Sequence, residues 1–294
     1  MPNHSGFRQN NRKPQKPKEK PTIDENNPVL KAFQSYAAEL DAKHDRYERI
    51  VKLSRDITIE SKRIIFSLHS IDSRKDNKQK VLDEALQRLQ KLIEVNFKAV
   101  AKELQDQDPY HYRGAYSPGL QEFIEAYTFM EYMKYADEAK EGENNLEKSI
   151  SDWMDLQKQM HYTEVDKEAK ESEDADNEKA VAKEFSFFVD PTEYILGVSD
   201  LTGELMRRCI NSLGSGETDT CLSTCKVLQQ FYTGYICLNV HRCRELSRKI
   251  YTMRQSVLKS EHVCYNLKVR GGEAAKWGAV FDNKPGDDID EGFY

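Results

Sequence analysis

The chain has 294 residues and a formal net charge of −6, since 50 acidic residues outnumber 44 Lys and Arg. No run approaches the roughly 18 consecutive apolar residues that a membrane-spanning helix requires, which excludes a membrane protein. The six cysteines are too sparse for a small disulfide-stabilised scaffold. A secretion signal is also lacking, so we expect these cysteines to be reduced.

Both ends and one internal stretch are polar. Residues 1–28 hold five of the nine prolines, and residues 1–20 carry six basic side chains against one acid. We expect residues 1–28 to form a disordered basic tail, which is a nuclear localisation signal, an RNA-contacting arm or a merely solvated segment. An acidic tail is predicted at 273–294. A flexible acidic loop is predicted at about 163–184, within a single domain at 29–272.

Hydrophobic residues spaced three and four apart dominate between the tails, which predicts an all-α protein. The first helix is expected to run from Pro28 to about Ile71. Ser117 and Pro118 have the form of an N-cap and a first helical residue, and the run from Asp190 to Glu193 has the form of a capping box. Alternation typical of a strand occurs only at 184–189. The other predicted helices are 82–104, 117–136, 146–160, 191–214, 219–240 and 244–269.

Two pairs of acidic residues have helical spacing. Glu122 and Glu125 are three residues apart on the third predicted helix, and Asp200 and Glu204 are four apart on the fifth, so each pair shares a face. Large apolar residues flank both pairs. Acids this close to one another and to a core need a cation or basic partners. An all-oxygen set favours Mg²⁺, with Mn²⁺ as the alternative ion, and salt bridges to residues such as Arg207 are the structural alternative.

The fifth predicted helix also carries two glycines and a third acid. Gly197 and Gly203 lie in its interior, where Gly costs about 1 kcal/mol relative to Ala. We therefore expect another backbone or a substrate to approach closely at both positions. Glu193 continues the stripe that contains Gly197, Asp200 and Glu204.

Other chemistries find less support. A di-iron bundle requires Glu-x-x-His on two helices, and no His in this chain has a Glu three positions before it. The motifs of nucleophilic hydrolases and of phosphate-binding loops are absent. Zinc is the remaining candidate, since five residues of ligand type lie along one stretch of the chain, namely Cys221, Cys225, Cys237, His241 and Cys243. No Cys-x-x-Cys motif occurs, and we interpret these side chains as buried small hydrophobes.

Basic residues cluster on the first and last predicted helices. Phosphate contact is one interpretation, because the local potential matters more than the net charge. Ion pairs between helices are an equally weighted alternative. The residues singled out for RNA contact are Arg55, Lys62, Arg63 and Arg248.

Several runs closely resemble the translin family, specifically the members that assemble with translin. The resemblance covers about residues 29–271, and its most specific part is YILGVSDLTGELMR at 194–207. The other matching runs are HDRYER at 44–49, KLSRDIT at 52–58, GLQE at 119–122 and LKVRG at 267–271.

The resemblance implies a seven-helix, translin-like bundle with long antiparallel helices. It implies a catalytic subunit of a hollow hetero-oligomer with translin, a Mg²⁺-dependent endoribonuclease that cleaves single-stranded or nicked RNA. The family's roles are passenger-strand removal with the small-RNA silencing machinery and precursor tRNA processing, in cytoplasm and nucleus. Its catalytic, metal-binding acids fall on Glu122, Glu125, Asp200 and Glu204, while Glu193 lies outside that set as a supporting residue. The alternative is a non-catalytic scaffold that stabilises translin and tethers other proteins.

Overall fold

The computed structural model describes residues 27–72, 75–135, 150, 152–165, 182–238 and 243–269. Nearly all of both predicted tails and most of the predicted acidic loop lie outside the described residues. The chain divides into two compact units, one ending at Asp45 and the other beginning at Arg46. In the part of the chain that the structure describes, no helix is both long and apolar enough to cross a membrane.

Helices dominate the described residues. A π-helical turn (Leu92–Phe97) joins the second and third α-helical segments into one continuous helix, and a 3₁₀ turn (Pro109–Tyr112) precedes the fourth. Counted in this way, the described ranges contain seven helices, and the predicted all-α, seven-helix fold is confirmed. The segments are α1 (Pro28–Leu68), α2 (Lys78–Lys91), α3 (Lys98–Glu103), α4 (Arg113–Tyr135), α5 (Trp153–Gln159), α6 (Pro191–Gly214), α7 (Thr218–Ile236) and α8 (Arg244–Val269).

The apolar stripe of α1 has a different environment in each unit. In the first unit its members are at least 60% exposed, namely Val29, Phe33, Tyr36 and Leu40. In the second unit the stripe enters the core, where Ile50, Ile57, Ile64 and Leu68 are buried. These residues of α1 are therefore exposed in the described part of the first unit and buried in the second.

The third predicted helix begins earlier than its sequence signal indicated. Helix α4 starts at Arg113, and Pro118 lies inside it. The start signal instead lies upstream, where the Asp108 side chain accepts a hydrogen bond from the Tyr110 N–H at the head of the 3₁₀ turn. Ser117 does not cap a helix, because its hydroxyl donates to Glu193 at 2.6 Å.

The predicted fourth helix and the edges of the predicted acidic loop also need correction. Asp152 is the N-cap of α5, so Ile150 precedes the helix instead of belonging to it. Residues 161–165 and 182–186, expected to be mostly loop, form two paired antiparallel strands, β1 (His161–Val165) and β2 (Ala182–Ser186). The sequence signal at 184–189 marked only part of the second strand. Residues 166–181 lie outside the described ranges.

The segment between β2 and α6 is fixed against α5. Trp153 Nε1 donates to the Val189 carbonyl at 2.6 Å, and the Gln157 side chain bonds to the carbonyl of Phe187 and the N–H of Val189. Asp190 then caps α6 by accepting from the Thr192 N–H at 2.7 Å. This arrangement sets the start of the helix that carries Glu193, Asp200 and Glu204.

Candidate metal and nucleic-acid site

Helices α4 and α6 approach each other closely because α6 has a glycine at the contact. A Cβ atom at Gly197 would lie 2.7 Å from Ile124 Cβ and 3.0 Å from the Gln121 carbonyl oxygen. The predicted close approach is thus confirmed at Gly197. It is wrong at Gly203, where a Cβ atom would meet no described atom within 4 Å.

The close approach brings the two acid pairs into one site. Burial, followed in order of size by the charges of Asp200, Glu204 and Glu122, raises the pKa of Glu125 to about 8, and the charge of Lys249 opposes them in part. All three acids must lie near Glu125 to exert this effect. Among the described residues, none forms an ion pair or hydrogen bond with the Glu125 carboxylate. With Glu125 ionised, the four acids would carry one more negative charge than Lys62, Lys249 and Arg207 neutralise. Glu125 therefore keeps its proton at neutral pH unless a further cation binds.

Asp200 has a dedicated cationic partner in α8. Lys249 Nζ lies 2.5 Å from Asp200 Oδ2 and also donates to Gln121 Oε1 at 2.8 Å and to the Leu196 carbonyl at 3.1 Å. Burial raises the pKa of Asp200, and the charge and hydrogen bond of Lys249 oppose that effect without reversing it.

Glu204 is held from two sides. Its Oε2 lies 2.6 Å from His69 Nε2, at the C-terminal end of α1, and its Oε1 pairs with Arg207 one turn along α6. Burial acts to raise the pKa of Glu204, but the His69 hydrogen bond and the Arg207 charge outweigh it, so the pKa is lowered. This ion pair with Arg207 is the salt bridge that the sequence offered as the alternative to a metal site.

Glu122 lies at the edge of the site beside α1. Lys62 Nζ is 3.1 Å from Glu122 Oε1, and the Lys62 side chain is 63% exposed. Because Arg55 precedes Lys62 by seven residues, the two share one face of α1. Arg63 turns instead toward Glu60 at 3.5 Å, while Arg55 and Arg248 are exposed.

The donor chemistry of the four acids fits a hard divalent cation, but their atoms do not yet converge on one point. In the described part of the chain, no three acids bring their oxygen atoms within 4.8 Å of one another. Three of the four carboxylates are held by the cationic side chains described above. Glu125 is mostly buried, without a partner among the described residues, and faces three further acids. A divalent cation would neutralise the charge that Glu125 gains on losing its proton, once the carboxylates turn toward one another.

Glu193 lies in a buried hydrogen-bond network that connects to the site at Asp200. Its side chain is fully buried and accepts hydrogen bonds from Arg113 at 2.5 Å, Ser117 at 2.6 Å and Gln121 at 2.7 Å. Gln121 also accepts from Lys249, which in turn pairs with Asp200. The sequence placed Glu193 as a supporting residue, and in the structure it reaches Asp200 through these two side chains.

Three site residues were not identified from the sequence. Gln121 was part of a quoted motif and Lys249 was one of many basic residues on the last helix, but neither spacing linked them to the acids. His69 follows the end of α1 and is 135 positions from Glu204, so only the packing of α1 against α6 brings them together.

The comparisons with known proteins agree with this architecture. The translin family model matches residues 45–271. The chain is 40% identical over 276 residues to Translin-associated protein X from Pongo abelii, which covers 93% of this chain and 88% of that protein. It is 41% identical over 255 residues to Translin-associated protein X from Mus musculus, covering 85% and 81%.

Two solved structures share the fold. The one called "Structure of AfC3PO - duplex RNA complex" superposes with a TM-score of 0.52 at 19% identity, covering 82% of this chain and 97% of that one. "Crystal structure of apo-NeC3PO" has a TM-score of 0.52 at 18% identity, covering 86% and 98%. With the family model matching most of the chain, and relatives at about 40% identity, the protein belongs to the translin family.

Proposed function

We propose that this chain is the catalytic subunit of a Mg²⁺-dependent endoribonuclease that it forms with translin and that cleaves single-stranded or nicked RNA. The observation that carries the proposal is the shared acid site, in which Glu125 faces Asp200, Glu204 and Glu122 without a cationic partner among the described residues. The name of the relatives, Translin-associated protein X, supports translin as the partner. The duplex RNA bound in a neighbour of the same fold supports RNA as the substrate class.

Glu122, Glu125, Asp200 and Glu204 would hold the ion, with Mn²⁺ as a substitute for Mg²⁺. When bound, the ion supplies positive charge that stabilises the charge developing on the scissile phosphate. Lys249 and His69 keep Asp200 and Glu204 in fixed orientations, so little reorganisation is needed when RNA binds. Glu125, whose pKa is about 8 without a cation, would give up its proton to bind the ion.

Basic residues of α1 would contact the RNA backbone. Lys62 and Arg55 lie on one face of that helix, and Lys62 already reaches Glu122 at 3.1 Å. A phosphate that approaches the acids would pass these exposed side chains, which would neutralise part of its charge. Arg63, also on α1, and Arg248, on α8, are further candidates for RNA contact.

The cellular roles implied by the family resemblance belong to the same proposal. They are passenger-strand removal together with the small-RNA silencing machinery, and processing of precursor tRNA fragments, in both cytoplasm and nucleus. The basic residues between Arg8 and Lys20 would act as the nuclear signal.

The test is cleavage of a labelled single-stranded RNA by the chain co-expressed with translin, with Mg²⁺ or with EDTA. The Glu122/Glu125/Asp200/Glu204 variant, with each acid changed to its amide, should assemble with translin but lose cleavage. A variant with Asp41→Asn, Asp83→Asn, Glu94→Gln and Asp219→Asn, four exposed acids outside the site, matches the number of acids changed and should remain active. An intact wild-type complex that cleaves no RNA, or an active quadruple variant, would contradict the proposal.

A non-catalytic scaffold is the second candidate. The observation that favours it is that three of the four acids already have cationic partners, as structural ion pairs do. The same quadruple variant separates the two functions. In a scaffold, the amide substitutions would destabilise the chain or its complex with translin without changing any RNA cleavage.

A further inference from the structure

Four of the six cysteines converge at a second site, away from the carboxylates. Cys209 lies in α6, Cys221 and Cys225 lie one turn apart in α7, and Cys264 lies in α8; all four are buried. The sulfur atoms are 3.6 Å apart for Cys209 and Cys221, and 3.7 Å apart for Cys221 and Cys264. Cys237 is exposed and takes no part.

The packing of three helices creates this cluster, so spacing along the chain did not reveal it. The sequence grouped Cys221 and Cys225 with residues that follow α7 and found no zinc motif. In the folded chain, the partners of Cys221 are 12 residues before it and 43 residues after it. Each of the three helices contributes at least one thiol.

Three of the four sulfur positions match corners of a tetrahedral thiolate site. A Zn–S distance near 2.3 Å gives sulfur–sulfur edges of about 3.8 Å in a regular tetrahedron. The two measured edges are 3.6 and 3.7 Å, and Cys209, Cys221 and Cys264 all lie within 4.8 Å of one another. Cys225 stands one turn from Cys221 on the same face of α7 and near Cys264. It lies outside the group of three sulfurs, so a change of its rotamer would bring it in as the fourth ligand.

The surroundings of the cluster are mostly apolar, with the buried Ser260 near Cys209 and Glu261 near Cys225 as the polar neighbours. The residues packed around it are Val263, Ile210, Leu213 and Leu222. Two of the thiols donate weak hydrogen bonds to the same backbone carbonyl, that of Cys221, at 3.4 Å from Cys209 and 3.8 Å from Cys264. Soft sulfur ligands in a water-poor pocket select a thiophilic ion over the hard cations that carboxylates prefer.

We propose that Cys209, Cys221, Cys225 and Cys264 bind one Zn²⁺ ion, which crosslinks α6, α7 and α8. Each thiol gives its proton to solvent as the zinc–sulfur bond forms, and no oxidant or reductant is involved. The site is independent of the proposed ribonuclease activity. It stabilises the two helices that carry Asp200, Glu204 and Lys249.

The test begins with the metal content of the full chain purified with translin under reducing conditions, with translin alone as the blank. Inductively coupled plasma mass spectrometry should find about one zinc ion per chain. Unfolding in the presence of Co²⁺ followed by refolding should give the ultraviolet absorption of thiolate-to-cobalt charge transfer. Cys209→Ala and Cys264→Ala should each lower the zinc content at least fivefold, whereas Cys237→Ala, the exposed control, should leave it unchanged.

A readout on the wild-type protein keeps the proposal testable even if the cysteine variants fail to fold. Because the four sulfurs are buried, a colorimetric chelator should remove zinc from the denatured chain but not from the native one. A folded wild-type chain that contains no zinc and gives no cobalt–thiolate absorption would overturn the proposal. A mass two hydrogens lower per chain under non-reducing conditions, again without metal, would also overturn it and show that the cluster forms a disulfide.

Discussion

Lys249 places its ammonium group 2.5 Å from Oδ2 of Asp200 and uses its other donors on Gln121 and the Leu196 carbonyl. All three acceptors lie on α4 or α6, so the lysine of α8 ties together the two helices that carry the acids. Its single charge pairs with Asp200 and only partly offsets the effects that raise the pKa of Glu125. The balance of charge in the site therefore depends on whether a further cation is present.

Glu125→Gln should remove a pH dependence of stability. The pKa of Glu125 is about 8 in the folded chain against 4.5 as its ordinary value, so the folded state binds more protons between these limits. Stability from this group is complete below pH 4.5 and is lost as pH rises through 8. At pH 8.5 without Mg²⁺, the variant should be more stable than wild type by about 2 kcal/mol. The measurement is urea unfolding of the full chain at pH 5.5, 7 and 8.5.

Two outcomes would contradict this expectation. Equal stability of the variant and wild type at pH 8.5 would mean that Glu125 is not held near the other acids. Failure of Mg²⁺ to reduce the difference at pH 8.5 would argue against ion binding at these carboxylates. Glu94→Gln, at an exposed position, is the control and should show no pH-dependent difference.

Glu204 should give stability the opposite dependence on pH from Glu125, because its pKa is lowered and not raised. Burial is outweighed by His69 and Arg207, and the pKa of Glu204 is lowered from its ordinary 4.5. Its contribution to stability is therefore present above pH 4.5 and is lost as pH falls through the folded-state pKa. Glu204→Gln should lower stability at pH 6 by about 1 to 2 kcal/mol and make the acid limb of the stability curve shallower. A parallel shift of the whole curve, with the acid limb unchanged, would show that His69 and Arg207 do not set this pKa.

Lys249→Met should impair the site without unfolding the chain. The substitution keeps the aliphatic stem but removes the charge that orients Asp200. Loss of such a supporting group typically lowers metal affinity or activity by about 10- to 100-fold. Lys259→Met, at an exposed position on the same helix, is the matched control. The measurement is the Mg²⁺ concentration for half-maximal RNA cleavage, and equal values for both variants would exclude an orienting role for Lys249.

The sequence predicted the helices better than it predicted the interactions of the site. The periodic stripes and the Asp190 cap placed α6 correctly, because helix formation depends on neighbours three and four residues away. The acids were paired within each helix for the same reason. Lys249 and His69 could not be assigned as their partners, because those contacts depend on how three helices pack.

Local signals failed where the tertiary structure overruled them. Ser117 and Pro118 read as a helix start, but Ser117 donates to a buried carboxylate and Pro118 is accommodated inside α4. The sequence signal at 184–189 marked part of the second strand, whereas 161–165 carried no strand signal. The two segments pair with each other, and this pairing between distant segments supplies what the local pattern of 161–165 did not predict.

Arg113→Ala should destabilise the chain strongly because it leaves the Glu193 carboxylate buried with only neutral donors. Glu193 is 0% exposed, and Arg113 is its one cationic partner among the described residues. We expect a loss of about 3 kcal/mol. The double variant Arg113→Ala/Glu193→Gln should recover more than half of that loss, since no buried charge remains. Urea unfolding of the two variants measures the difference, and equal stabilities would show that the charge on Glu193 is not the cause.

Two glycines of α6 provide the last prediction, since they differ only in what surrounds them. At Gly197 an added methyl group would lie 2.7 Å from Ile124 Cβ, so Gly197→Ala must push α4 away and should cost about 2 kcal/mol or more. At Gly203 the space is open, and Ala should stabilise the helix by about 0.5 to 1 kcal/mol. Gly197→Ala should also abolish RNA cleavage by the complex with translin, because separating α4 from α6 separates the two acid pairs. Thermal unfolding and cleavage, measured side by side, check both expectations, and a fully active Gly197→Ala variant would show that the close approach of these helices is not required.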